Sequence, residues 1–144
     1  MKDTGSLHKK VQEEIDCYGG TDYLAELGRL QEERDLEEAA LKWLALSILH
    51  GINANAEKIK LKKADDGGIE VIASYRKSLL PSPRPEVVDK VFEIMREITH
   101  IDTDKGKIPL AVGVRDSSVD LDIKIKKKDD GKQTLSLKFP YSKP

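Results

Sequence analysis

Apolar residues recur three and four positions apart through the first third of the chain, and every second position through much of the rest. Leu7, Val11, Ile15 and Tyr18 share one side of a helix that Ser6 can cap and Gly19-Gly20 can end. Thr21 can cap a second, short helix with Tyr23, Leu24, Leu27 and Leu30 on one side. The stretch Gln31 to Glu38 is strongly charged and reads as a solvated helix or linker. It sets a boundary between a helical N-terminal extension over residues 1–35 and a domain over residues 36–140. From Asp35 to Ala54, the residues Leu36, Ala40, Trp43, Leu44, Ser47, Ile48 and Ile52 make a wide apolar stripe. Ala39, Leu41, Ala45, Leu46 and Leu49 widen it further. A helix this apolar must be covered on more than one side.

The period then changes to two. In Lys58-Ile59-Lys60-Leu61-Lys62 the apolar side chains face one way and the lysines the other. Asp65-Asp66-Gly67-Gly68 is a hairpin turn signal, and Ile69 to Ala73 is the partner strand. Pro81, Pro83 and Pro85 interrupt regular structure, and Pro85 suits the first position of a helix. Val87, Val88, Val91, Phe92, Met95 and Ile98 form its stripe. Three strands close the chain: Lys107 to Val112, with Pro109 marking an edge or a bulge; Val119 to Lys126; and Thr134 to Phe139, reached through a turn at Asp129-Asp130-Gly131. Hairpins imply antiparallel pairs with one face on helices and one face wet. The expected fold is α+β, an antiparallel-rich sheet of about five to six strands backed by helices, preceded by a helical extension.

Composition adds limits. The chain has 144 residues, 38% apolar and 35% charged, with a net charge of −1. A near-neutral molecule has no overall field to steer it to nucleic acid or to an anionic membrane, so neither is an expected partner. A single cysteine, Cys17, allows no internal disulfide, and a reducing cytoplasm is the expected compartment. The polar start MKDTGSLHKK is expected to hold no signal peptide, and the apolar run Ala39 to Leu49 is too short to span a bilayer.

No constellation points to catalysis. Neither glycine-rich phosphate-loop pattern occurs. His8, His50 and His100 fall on different elements without a second ligand at metal spacing. Asp102-Thr103-Asp104-Lys105-Gly106 resembles a calcium loop, but its Gly comes one place early and the twelfth position is Gly113 rather than Glu. Asp116-Ser117-Ser118 reads as a turn. A non-enzyme without cofactor or metal is expected. The outward strand residues are more informative. Lys58, Lys60 and Lys62 share one face, as do Asp120, Asp122, Lys124 and Lys126, and also Ser136 and Lys138. They read either as a solvated face, with lysines pairing with Glu70, Asp120 and Asp122, or as a basic platform for an acidic partner or a nucleotide phosphate. Stacking aromatics are missing from these strands, which argues against single-stranded nucleic acid.

From Leu36 onward the pattern resembles the N-terminal domain that precedes the ATPase core in type II secretion and type IV pilus assembly ATPases. The family reads I-L-x-E-A-I-x-x-x-A-S-D-I-H-I-E-P where this chain runs Ile48-Leu49-His50-Gly51-Ile52 through Lys58-Ile59-Lys60-Leu61-Lys62-Lys63. A helix of R-x-K-x-M-A-x-L-D pattern corresponds to Phe92 through Asp102, and V-D-L-R-V-S-T corresponds to Val119-Asp120-Leu121-Asp122-Ile123-Lys124-Ile125. The resemblance covers about 100 residues and implies a PAS-like domain. It also implies a loss. The family domain lends arginines to a nucleotide on a neighbouring core, and the matching positions here are Ile72, Ser74 and Asp122. Asp122 would repel a phosphate. The resemblance therefore implies a free-standing, divergent relative without the ATPase core. It would act as a protein-interaction module on a secretion or pilus ATPase or a related assembly, and a homo-oligomer stays open. The candidate surface is Lys58, Lys60, Lys62, Asp122, Lys124, Lys126 and Lys138. The alternative is a PAS-like module that senses a small molecule or nucleotide.

Overall fold

In the computed structural model, α1 (Thr4–Tyr18) turns Leu7, Val11 and Ile15 inward and ends at Gly19-Gly20, where Gly20 adopts a φ of 89°. The described residues are 4–54, 56–64, 68–73, 78–79, 83–101, 103–114, 117–128 and 131–140. The expected turn residues Asp65, Asp66, Gly67, Asp116, Asp129 and Asp130, together with Ser74, Pro81 and Asp102, lie outside them.

Thr21 does not cap the second helix. Its Oγ1 donates to the Tyr18 carbonyl at 2.7 Å and so finishes α1. Asp22 caps α2 (Tyr23–Arg29), its carboxylate accepting from the Ala25 amide at 3.2 Å. A carboxylate also meets the positive end of a helix, which a hydroxyl does not. A 3-10 turn at Leu30–Glu32 leads to α3 (Leu36–Asn53), capped by Asp35, which accepts from the Glu38 amide at 3.0 Å.

Every residue of α3 from Ala39 to Gly51 except Lys42 is buried. The sequence demanded cover on several sides, and α1, α2, α4 and the sheet supply it. Leu7, Val11, Ile15, Tyr23, Leu27 and Leu30 belong to the same apolar core as α3 and the strands. The helices of residues 1–35 thus lie on the domain.

The strands are β1 (Lys58–Lys63), β2 (Ile69–Ala73), a two-residue β3 (Ser78–Leu79), β4 (Lys105–Val114), β5 (Ser117–Lys127) and β6 (Gln133–Lys138). Helix α4 (Pro85–Thr99) starts on Pro85, as the sequence predicts, and ends on His100 in the left-handed region at φ 61°. The sheet order is β3-β2-β1-β6-β5-β4, antiparallel throughout. The fold class is α+β, an antiparallel sheet backed by helices. Ile59, Leu61, Leu121, Ile123, Ile125 and Leu135 point from the sheet into the core with no exposed surface.

Two details fix the borders of the sheet. β4 is an edge, which accommodates Pro109, since an edge position need not donate to a neighbouring strand. Helix α1 caps that edge at Ala111 and Gly113. Gln12 Nε2 donates to the Gly113 carbonyl at 2.6 Å, and Gln12 Oε1 accepts from the Gly113 amide at 2.7 Å. His8 Nε2 donates to the Ala111 carbonyl at 2.8 Å. After β6, Phe139 folds onto α3 with 3% of its surface exposed. A Cβ placed on Gly51 would lie 2.0 Å from Phe139 Cζ, so this contact requires a residue without a side chain.

Candidate functional site

The strict alternation of β1, β5 and β6 sends one set of side chains into the core and the other to the open face. All seven residues of the expected surface, Lys58, Lys60, Lys62, Asp122, Lys124, Lys126 and Lys138, have this outward parity, and the register brings them together. Lys60 lies opposite Ser136, which lies opposite Lys124. Lys62 lies opposite Thr134, which lies opposite Lys126. Lys58 lies opposite Lys138, which lies opposite Asp122. The order β1-β6-β5 therefore sets short hydroxyl side chains between two ridges of lysine.

These residues line an open depression of about 830 Å³. Adjacent strands lie about 4.8 Å apart, which separates the ridges by about 10 Å, and same-face residues repeat about every 7 Å along each strand. Ser136 is the floor, 8% exposed. Sequence reasoning did not single out Lys105 and Lys107, which extend the rows to the β4 edge opposite Lys126 and Lys124. Their alternation with Gly106 and Ile108 was the available signal.

Among the described residues, the face carries more lysines than carboxylates. Eight outward lysines (the six of the expected surface plus Lys105 and Lys107) stand against Glu70, Asp120 and Asp122. Among the described residues, the ion pairs close elsewhere: Lys10 with Glu37, Arg29 with Glu26, Lys42 with Glu33, Lys63 with Asp89 and Lys90 with Glu93. Lys63 has the opposite parity and ties β1 to α4. Lys58 and Lys138 face each other directly, which is unfavourable for like charges. Lys60 registers the crowding. The charge of Lys58, then burial, then Lys62 and Lys124, push its ammonium below the usual lysine range.

Other ionisable groups lie apart from this face. Between α1 and α3, Glu14 is raised to about 7, chiefly by burial and then by its hydrogen bond to Glu38. Nearby, Lys42 donates to Glu33 at 2.8 Å, which raises the lysine and lowers the carboxylate. Burial lowers His50. Cys17 is exposed with a free thiol. A second open depression, about 1010 Å³, lies between the C-terminal ends of α1 and α3 and the β4-β5 hairpin, with Ile15, Tyr23, Ile52 and Val119 in its walls. Among the described residues, His, Cys, Asp and Glu form no group of three suited to a metal ion, and no helix is long and apolar enough to cross a membrane.

No protein-family model matches the chain, and no curated protein matches its sequence. The likeness to the secretion and pilus ATPase domain rests on the sequence pattern.

Proposed function

We propose that the chain is a non-catalytic protein-interaction module that presents its open sheet face to an acidic surface of a partner. The observation that carries this reading is the concentration, among the described strand positions, of eight lysines against three carboxylates on one sheet face. Solvated sheet faces ordinarily mix charges of both signs and pair them across strands. Here the like charges are held together at a cost, and Lys60 shows the strain in its lowered proton affinity. An acidic partner would relieve it. The sequence pattern after Leu36 supports a partner of the type II secretion or type IV pilus assembly kind.

The test is direct binding of the purified chain to secretion and pilus assembly ATPases, measured by biolayer interferometry at low and moderate salt. The Lys60→Glu/Lys124→Glu double variant should lose binding, while Lys9→Glu, an exposed charge reversal on α1, should keep it. Binding that survives the double reversal would remove the sheet face from the proposal. Failure to bind any such ATPase would remove the pathway.

A further inference from the structure

The open face is more specific than a basic patch. Two of its rows repeat one arrangement, a lysine, a hydroxyl and a lysine across three strands: Lys60, Ser136, Lys124 and then Lys62, Thr134, Lys126. Each row offers two ammonium groups about 10 Å apart at their strands with a hydroxyl donor between them. Flexible lysine stems can bend inward over a floor of short side chains. At one end the trough is closed by Lys138, with Asp122 beside it.

The rows repeat about 7 Å apart, which is also the same-face repeat of an extended polypeptide. We infer that the trough over β6 binds an extended acidic segment of a partner protein, taking two carboxylates spaced i and i+2, one in each lysine–hydroxyl–lysine row. Each carboxylate would accept charge-assisted hydrogen bonds from the two ammoniums and one from the hydroxyl. This rests on the protein-interaction reading above and names its recognition element.

Charge complementarity selects this occupant over other polyanions. The whole chain carries −1 while the face carries a clear positive excess, so the remainder of the molecule is net negative. A long nucleic acid or a membrane surface would meet that negative field, whereas a short segment over the two rows meets chiefly their lysines and hydroxyls. Among the described residues, the face holds neither arginine for bidentate phosphate contact nor an aromatic ring for base stacking. The depressed proton affinity of Lys60 fits a site that holds charge apart until a counter-charge arrives.

The experiment uses the full chain and fluorescein-labelled ten-residue peptides followed by anisotropy in 50 mM and 300 mM salt. One peptide alternates Glu and Thr. A second holds the same residues with the glutamates in adjacent pairs separated by two threonines, so that no two glutamates stand at i and i+2. The alternating peptide should bind several-fold more tightly, and the higher salt should weaken it. Lys60→Gln/Lys124→Gln should weaken it about tenfold, at roughly threefold for each charge removed, whereas Lys105→Gln/Lys107→Gln on the outer strand should change it less than twofold. Ser136→Val widens the floor residue and removes its hydroxyl without altering charge, and it too should weaken binding. Thermal denaturation of Lys60→Gln should show a midpoint unchanged or raised by about a degree or two, because a repulsion is removed.

Equal weakening by the trough and outer-strand pairs, or equal binding of the paired-glutamate peptide, would reduce the trough to a diffuse field and overturn the inference. Tighter binding of a single-stranded oligonucleotide or of phosphatidylserine vesicles than of the alternating peptide would also overturn it. So would self-association in analytical ultracentrifugation that Lys60→Gln/Lys124→Gln abolishes, since the face would then belong to a second copy. If the peptides fail while an assembly ATPase still binds through Lys60 and Lys124, the interaction module stands and the extended-segment inference falls.

Discussion

Replacing Gly51 by alanine sets two known effects against each other. In a helix interior, alanine is more favourable than glycine by about 1 kcal/mol. At this position the added methyl would lie 2.0 Å, 2.3 Å and 2.8 Å from three ring carbons of Phe139. Those are far inside van der Waals contact, so the ring must retreat by more than an ångström. It has little room to do so. Phe139 is 3% exposed, and its amide donates to the Glu57 carbonyl at 2.9 Å. Forcing an extra methyl into a packed site costs about 1–3 kcal/mol, and this overlap belongs at the upper end. The net expectation is a loss of about 1–2 kcal/mol. Urea unfolding followed by the fluorescence of Trp43, the only tryptophan and 1% exposed, measures it. Gly28 in α2 is the internal control, because a Cβ there meets nothing within 4 Å, and Gly28→Ala should be neutral or stabilising. In a double-mutant cycle with Phe139→Ala, the cost of Gly51→Ala should vanish, giving a coupling of at least about 1 kcal/mol. Stabilisation by Gly51→Ala in the parent background, or additivity in the cycle, would refute the packing described.

Glu14 gives a pH prediction. Its folded pKa of about 7 lies above the ordinary value of 4.5, so the fold favours the protonated form. That contribution is complete below about pH 4.5 and is lost as pH rises to about 7. Glu14→Gln, which mimics the protonated acid, should raise the melting temperature at pH 8 and leave it unchanged at pH 4. The gain should stay below about 1 kcal/mol because water screens a group this exposed; an equal shift at both pH values would contradict the assignment. Asp35→Ala removes the acceptor of the Glu38 amide at the start of α3 and should cost about 1 kcal/mol in chemical denaturation, with Asp35→Asn recovering most of it.

The strands were the most legible part of the chain, because a period of two fixes which side chains share a face without reference to any partner. That is why Lys58, Lys60 and Lys62 could be grouped before the fold was known. The trough could not be read in the same way. It exists because β6 lies between β1 and β5, and a pairing between Lys60 and Ser136, 76 positions later, leaves no mark in local periodicity. Helices show a similar division. The stripe of Leu7, Val11 and Ile15 declared a buried side, but not that α3 and the β4 edge would be what covers it. Thr21 and Asp22 are both good capping residues, and only the actual hydrogen bonds separate the one that ends α1 from the one that starts α2. The two-residue β3 has no alternation long enough to detect.

The paired hydrogen bonds between Gln12 and Gly113 have a consequence for how other chains can approach. A side-chain amide carries the same donor and acceptor as a peptide group, and here it occupies the place that the backbone of an additional strand would take. Lengthening the sheet past Ala111 and Gly113 would mean displacing α1, with Leu7, Val11 and Ile15 dragged from the core into water. A visitor at that border meets side chains instead of main chain. Selectivity then resides in the visitor's own sequence and in the salt around it, whereas strand addition tolerates almost any backbone that lies flat.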